Sequence, residues 1–210
     1  RGGVHQRSGR PRRHHPDREV TAQRLLRTLG AVSTSTSTSA STSTVPGWAV
    51  PALLPDGDTG VAEMAVEELT AASFVTRVTS AHTGEPRLHL HDLVRLFATE
   101  LPGPDGPATV LDALLPVAID LAGQVAQRLP RPANVLPVWG WVPPVLETMA
   151  VPEDPVGWFA DERPFLLHLA ALAAAAGRHR EAAALLRCLH IPLVSQYRWR
   201  EFDDAWTAVR

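Results

Sequence analysis

Two histidines one residue apart, His89 and His91, followed at once by Asp92, are the side chains in this sequence whose types and spacing come closest to chemistry. On a strand, residues i and i+2 share a face, so the two imidazoles could approach one cation. A zinc site needs at least three protein ligands, but His91 can already belong to the following helix, and no carboxylate is fixed to complete the set. No metal is therefore expected, and the plain reading is a pair of histidines near a strand–helix junction. Ser73, His91 and Asp92 are the residue types of an acyl-transfer triad, but no Gly-x-Ser-x-Gly elbow surrounds the serine. Cys188 and His190 are the types of a thiol–imidazole pair. Two positions apart on a helix they diverge by roughly 200°, so a structural cysteine is the better reading. A phosphate-binding Walker A loop ends in Lys followed by Ser or Thr. The 20 basic residues counted as lysine or arginine are all arginine, so this chain has no such lysine and is not expected to hydrolyse ATP. No catalytic residue is assigned.

These residues must be positioned by a chain of 210 residues with 45% hydrophobic content, enough for one or two domains. Formal net charge is −2, which gives no overall attraction to nucleic acid or anionic lipid. The charge is uneven, with a basic N-terminal end ahead of an acidic remainder. One cysteine excludes an internal disulfide and fits a reducing cytoplasm. No apolar run is read as reaching the ~20 residues that cross a bilayer. The chain starts at Arg1 and not at Met, so a piece of a longer protein is expected.

Residues 1–17 are Arg, Gly, His and Pro with little to bury, a disordered basic lead-in. A first unit covers 18–103. Residues 19–29 have helical spacing of Val20, Leu25, Leu26 and Leu29, with Asp17 or Thr21 as cap and Gly30 as stop. Residues 33–44, alternating serine and threonine, read as a flexible loop insertion. Residues 45–54 suit a short helix with Pro51 in its first turn. Residues 61–72 give a clearer helix, apolar at Val61, Met64, Ala65, Leu69 and Ala72 and capped by Asp58 or Thr59. Residues 74–90 read as a β-hairpin around SAHTGEP. Asp92 is expected to cap the next helix, which would bury Leu93, Leu96, Phe97 and Leu101.

Residues 104–157 hold a long helix over about 108–129, in which Pro116 should make a kink or split off the first turn, then a Pro- and Trp-rich connector in which Trp139 and Trp141 serve packing. From 158 to 210 short helices recur: one beginning near Pro164 and ending at Gly177, one over 180–190 and one from about 198. Paired short helices joined by a tight turn are the unit of an α-solenoid. The fold class expected is mainly α: a winged-helix module of helices plus a hairpin, then a tetratricopeptide-like array.

Three stretches carry a family resemblance. VAEMAVEELTAASFV at 61–75, RLHLHDLVRLFATEL at 87–101 and WFADERPFLLHLAALAAAAGRHREAAALLRCL at 158–189 resemble the winged-helix and repeat regions of bacterial NB-ARC-type STAND regulators, notably the antibiotic-regulator group with tetratricopeptide repeats. The strand–helix junction of that family carries a Met-His-Asp-like motif. Leu90, His91 and Asp92 stand in its place, with leucine for methionine. Residues 33–44 and 130–150 are not covered. The resemblance implies a regulatory and protein-interaction fragment of a transcriptional or signalling switch. ADP or ATP would belong to the parent protein, and no cofactor to this chain. The partners would be the parent's nucleotide-binding domain, or a protein gripped by the repeats. In that family the histidine of the junction contacts the phosphate of bound ADP, so His91 would be a nucleotide sensor framed by Leu90 and Asp92. The other reading of His91 is a capping or core histidine.

The alternative function is a free-standing, DNA-binding winged helix. Against it, residues 61–73 offer Glu63, Glu67 and Glu68 where a recognition helix offers Arg, Lys, Asn or Gln. Only Arg77 and Arg87 on the hairpin could meet phosphates, so direct DNA binding is not expected, nor is a membrane partner.

Overall fold

The computed structural model describes residues 16–33, 44–55, 57–103, 106–129 and 151–209. Among the described residues the chain is mainly helical, with one three-stranded antiparallel sheet in the order β1-β3-β2. Of the lead-in expected at 1–17, residues 1–15 lie outside the described residues, as do most of the serine–threonine stretch (34–43), Trp139 and Trp141; Pro16 and Asp17 are not lead-in but the first residues of a helix.

Helix α1 (Pro16–Val32) forms because Ala22, Leu25, Leu26, Leu29 and Val32 fall on one face, and all are buried. It does not stop at Gly30 as its composition suggests. The glycine lies in the last turn of the helix, where α3 crosses: a β-carbon on Gly30 would stand 2.7 Å from the Ala98 Cβ. The absent side chain permits close approach and does not end the helix. Gly30→Ala gains about 1 kcal/mol of helix propensity but forces α1 and α3 apart, which costs about 1–3 kcal/mol. We expect a net loss near 1 kcal/mol in urea denaturation, restored when Ala98→Gly is added. A stabilised single variant would contradict this packing.

Residues 44–54 are not a helix. They form β1 (Thr44–Pro46) and two 3-10 turns, Gly47–Ala49 and Pro51–Leu53. Pro46 and Pro51 each lack an N–H, which removes two ladder donors from so short a segment. Asp58 accepts the N–H of Val61 at 2.9 Å and starts α2 (Thr59–Ala71). The inward face of α2 is turned from the expected one. Ala62, Ala65, Val66 and Leu69 are buried, while Val61 and Met64 are exposed. Ser73, at φ 62, ends the helix, with Phe74 N–H on Leu69 O and Ser73 N–H on Thr70 O.

Strands β2 (Val75–Thr79) and β3 (Pro86–Leu90) form the expected hairpin, and β1 adds to the other edge of β3. Gly84 at φ 71 makes the turn. Helix α3 (Asp92–Glu100) follows, packed on α1.

Helix α4 (Pro107–Arg128) is one unbroken helix through Pro116. It corrects the expectation that nothing here is long and apolar enough for a bilayer: by length and composition α4 is. It is nonetheless the central core helix, in contact with α1, α5 and α6 and more than half buried. Helix α5 (Pro155–Ala175) begins nine residues before Pro164, capped by Asp154, which accepts from Val156 and Gly157 N–H. It is followed by α6 (His179–Ser195) and α7 (Trp199–Val209). The α5–α6 and α6–α7 connections repeat one geometry. Gly177 (φ 75) and Tyr197 (φ 58) are left-handed, and Arg178 and Arg198 donate to Ala173 O and Leu193 O respectively. The Arg-x-Arg-Glu runs at 178–181 and 198–201 sit at the same place in both turns.

Candidate functional site at the strand–helix junction

The alternation of β3 sends Leu90 inward, where it is fully buried, and leaves His91 exposed at the entry to α3. His91 holds the N-cap position with extended backbone (φ −66, ψ 147) and makes no side-chain cap bond. Asp92 does not cap the helix. It is the first helical residue, and its exposed carboxylate stands 3.8 Å from Arg95 Nε. An acid in a first turn still favours the helix dipole, worth about 0.3–1 kcal/mol. His91→Ala and Asp92→Ala should therefore each shift stability by only about 0.5 kcal/mol, the scale of surface changes. A loss above about 2 kcal/mol for His91→Ala in a denaturation curve would show a buried structural role.

The imidazoles of His89 and His91 meet edge-to-face with centroids 5.2 Å apart. Among the described residues no group of three or more potential metal ligands assembles around them or elsewhere. Ser73 is spent on the end of α2 and forms no triad. The Cys188 sulfur lies against Gly123 of α4. Burial pushes the Cys188 thiol up to about 12, and the His190 ring lies 5.2 Å from Phe202.

The main departure from expectation is on α3. Leu93, Leu96 and Phe97 are not core residues: they are 81%, 51% and 48% exposed, and only Ala98 of this helix is buried. Phe97 stacks on Phe74 at 6.3 Å. His91 thus stands at the head of an exposed apolar stripe. The helical period was read correctly, but its phase toward α1 is set by Ala98 against Gly30. Small residues there allow the helix axes to approach and turn the large ones outward.

A second cluster, absent from the sequence reading, holds the hairpin to α5. Asp161 accepts from the N–H of His82 and Thr83, from Thr83 Oγ1 and from His82 Nδ1, at 2.8–3.2 Å. Beside it, Glu162 pairs with Arg87 of β3, both fully buried. Arg87 also donates to Thr44 Oγ1 at 2.8 Å. The Trp48 indole faces the same carboxyl, though neither its Nε1 nor Glu162 Oε2 attains hydrogen-bond geometry. Arg87 is therefore not a phosphate contact, and Arg77 lies 3.4 Å from Glu63. The signal for this cluster was in the sequence. Glu162 occupies the stripe Trp158, Phe165, Leu166, Leu169, and a carboxylate on a core stripe requires a partner.

The two acids titrate in opposite directions. Burial raises Asp161, but the bonds from His82 and Thr83 outweigh it and hold the carboxyl at about 2. Its contribution is present above 3.8 and is lost as pH falls toward 2. Burial pushes Glu162 up to about 7, with the Arg87 guanidinium pulling it back. Its contribution is present below 4.5 and is lost as pH rises through 7. In pH-dependent thermal melts, Asp161→Asn should flatten the acid limb and Glu162→Gln the decline between pH 4.5 and 7. Unchanged profiles would contradict the assignment.

Comparison with protein-family models, with curated proteins and with solved structures finds no match to this chain.

Proposed function

We propose that this chain is a regulatory, protein-interaction module of a STAND-type switch, a winged helix (α1, α2 and the hairpin) leading into tetratricopeptide-like helices (α5–α7). Its docking surface is the exposed stripe Leu93, Leu96 and Phe97, headed by His91, and the partner is an ADP-loaded nucleotide-binding domain. The observation that carries this reading is that stripe. An exposed patch of adjoining large apolar side chains on a folded protein marks an interaction site. The repeated left-handed turns at Gly177 and Tyr197 support the array. The acidic face of α2 and the burial of Arg87 weigh against a DNA-reading role. His91 at the head of a helix can donate to a phosphate oxygen beside a positive dipole end. The chain itself would not turn over ATP, and a cytoplasmic setting fits a nucleotide partner.

The test is calorimetric titration of the chain with purified NB-ARC domains from the source genome, loaded with ADP or with ATP. The ADP form should bind more tightly. Leu93→Asp with Phe97→Asp should weaken binding at least about tenfold, the scale of interface anchors. His91→Ala should remove the ADP preference and leave the fold unchanged. Binding indifferent to the stripe, or none at all, would refute the proposal.

A further inference from the structure

Strand β3 joins the two clusters. Arg87 near its start is held by Glu162, and its end, Leu90, runs directly into His91 and α3. Five residues span only about 17 Å at the usual strand rise. The strand is central in the sheet, paired on both sides, so it moves with β1 and β2 as one body. Asp161 grips the tip of the same hairpin at His82 and Thr83. Adjacent residues of α5 thus hold the hairpin at its tip and at its central strand. Helix α5 in turn packs on α6 and α7.

Close-packed elements shift as units and deform little. A buried pair whose rupture strands the Arg87 guanidinium without its acceptor resists separation more than an apolar contact does. We propose that the Arg87–Glu162 pair is a coupling strut, which carries displacements of α5 along β3 to His91 and the first turn of α3. Glu162 is then a positioning residue for the junction, acting through Arg87 and touching no ligand. This rests on the reading of the junction as a docking site and supplies its regulation: a partner seated on the array tunes the exposed stripe without contacting it. A second route runs from α6 through α4 and α1 to α3, since each of these pairs is packed. The experiment must separate the two.

The readout is the full chain alone, with no nucleotide-binding domain, so the result does not depend on whether that partner binds. Histidine-labelled NMR spectra report the His91 imidazole signal, assigned with His91→Ala. Amide exchange reports Arg95 to Phe97, the first helically bonded N–H groups of α3. The paired variant Arg87→Met with Glu162→Leu removes the strut and keeps the site filled. We expect the His91 signal to move and exchange at Arg95 to Phe97 to quicken about tenfold, the scale of coupling changes along such networks. Leu189→Ala, a core truncation in α6 away from the strut, should leave both unchanged. If the paired variant fails to fold, Asp161→Asn serves in its place, with a smaller change of the same sign. Unaltered His91 and α3 signals in the strut variants, or equal changes in Leu189→Ala, would overturn the proposal.

Discussion

Glu162→Ala is expected to destabilise the protein by about 3–5 kcal/mol, because it leaves the Arg87 guanidinium buried beside no anion. Arg87→Ala should cost less, since Glu162, already pushed up to about 7 by burial, takes a proton once the guanidinium is gone. Replacing both, as Arg87→Met with Glu162→Leu, should be nearly neutral, since neither charge then has to be desolvated. Both side chains are fully buried and lie between β3 and α5. The hairpin joins the helical half through this pair and through Asp161, so the single variants should also loosen the hairpin. Urea denaturation of the four proteins gives the cycle directly. A coupling energy below about 1 kcal/mol would mean a solvated pair of the kind found on surfaces, and the strut would lose its basis.

Period and caps decide the outcome over part of the chain. The hairpin, the span and Asp58 cap of α2, and the span of α4 stand where the pattern places them, while the buried face of α2 does not. Elsewhere tertiary packing overrides local signals. Gly30 and Pro164 are good breakers by type, yet both lie inside helices: one gives room to Ala98, and the other sits in a helix anchored upstream by Asp154 and Trp158. The outward turn of Leu93, Leu96 and Phe97 was not legible, because an amphipathic stripe states which residues share a face but not whether a neighbour covers it. At the junction, the inward Leu90 and exposed His91 followed from strand alternation, whereas the capping role given to Asp92 did not. The Arg87–Glu162 pair joins residues 75 positions apart, a partnership that no local pattern encodes.

Trp158→Ala should be the largest single loss outside the ion pair, again about 3–5 kcal/mol, the range for truncating a buried aromatic. Trp158 is 2% exposed and lies in the first turn of α5. Its ring is 6.4 Å from Trp48 and 5.0 Å from Phe159, and Trp48 meets Phe165 edge-on at 5.9 Å. Trp48 follows β1, so this cluster fastens the sheet edge to α5 on the side where Glu162 holds β3. Removing the indole opens a cavity under both. The loss should therefore not add to that of Glu162→Ala, since residues sharing one packed site couple by about 0.5–3 kcal/mol. Trp199, half-exposed at the start of α7, is the matched control, and its truncation should cost well under 1 kcal/mol. The urea midpoint should fall for Trp158→Ala with an unchanged slope, the sign of lost stability without a change in the surface exposed. Equal midpoints for the two tryptophan variants, or strict additivity with Glu162→Ala, would show that sheet and helix are not joined through one cluster.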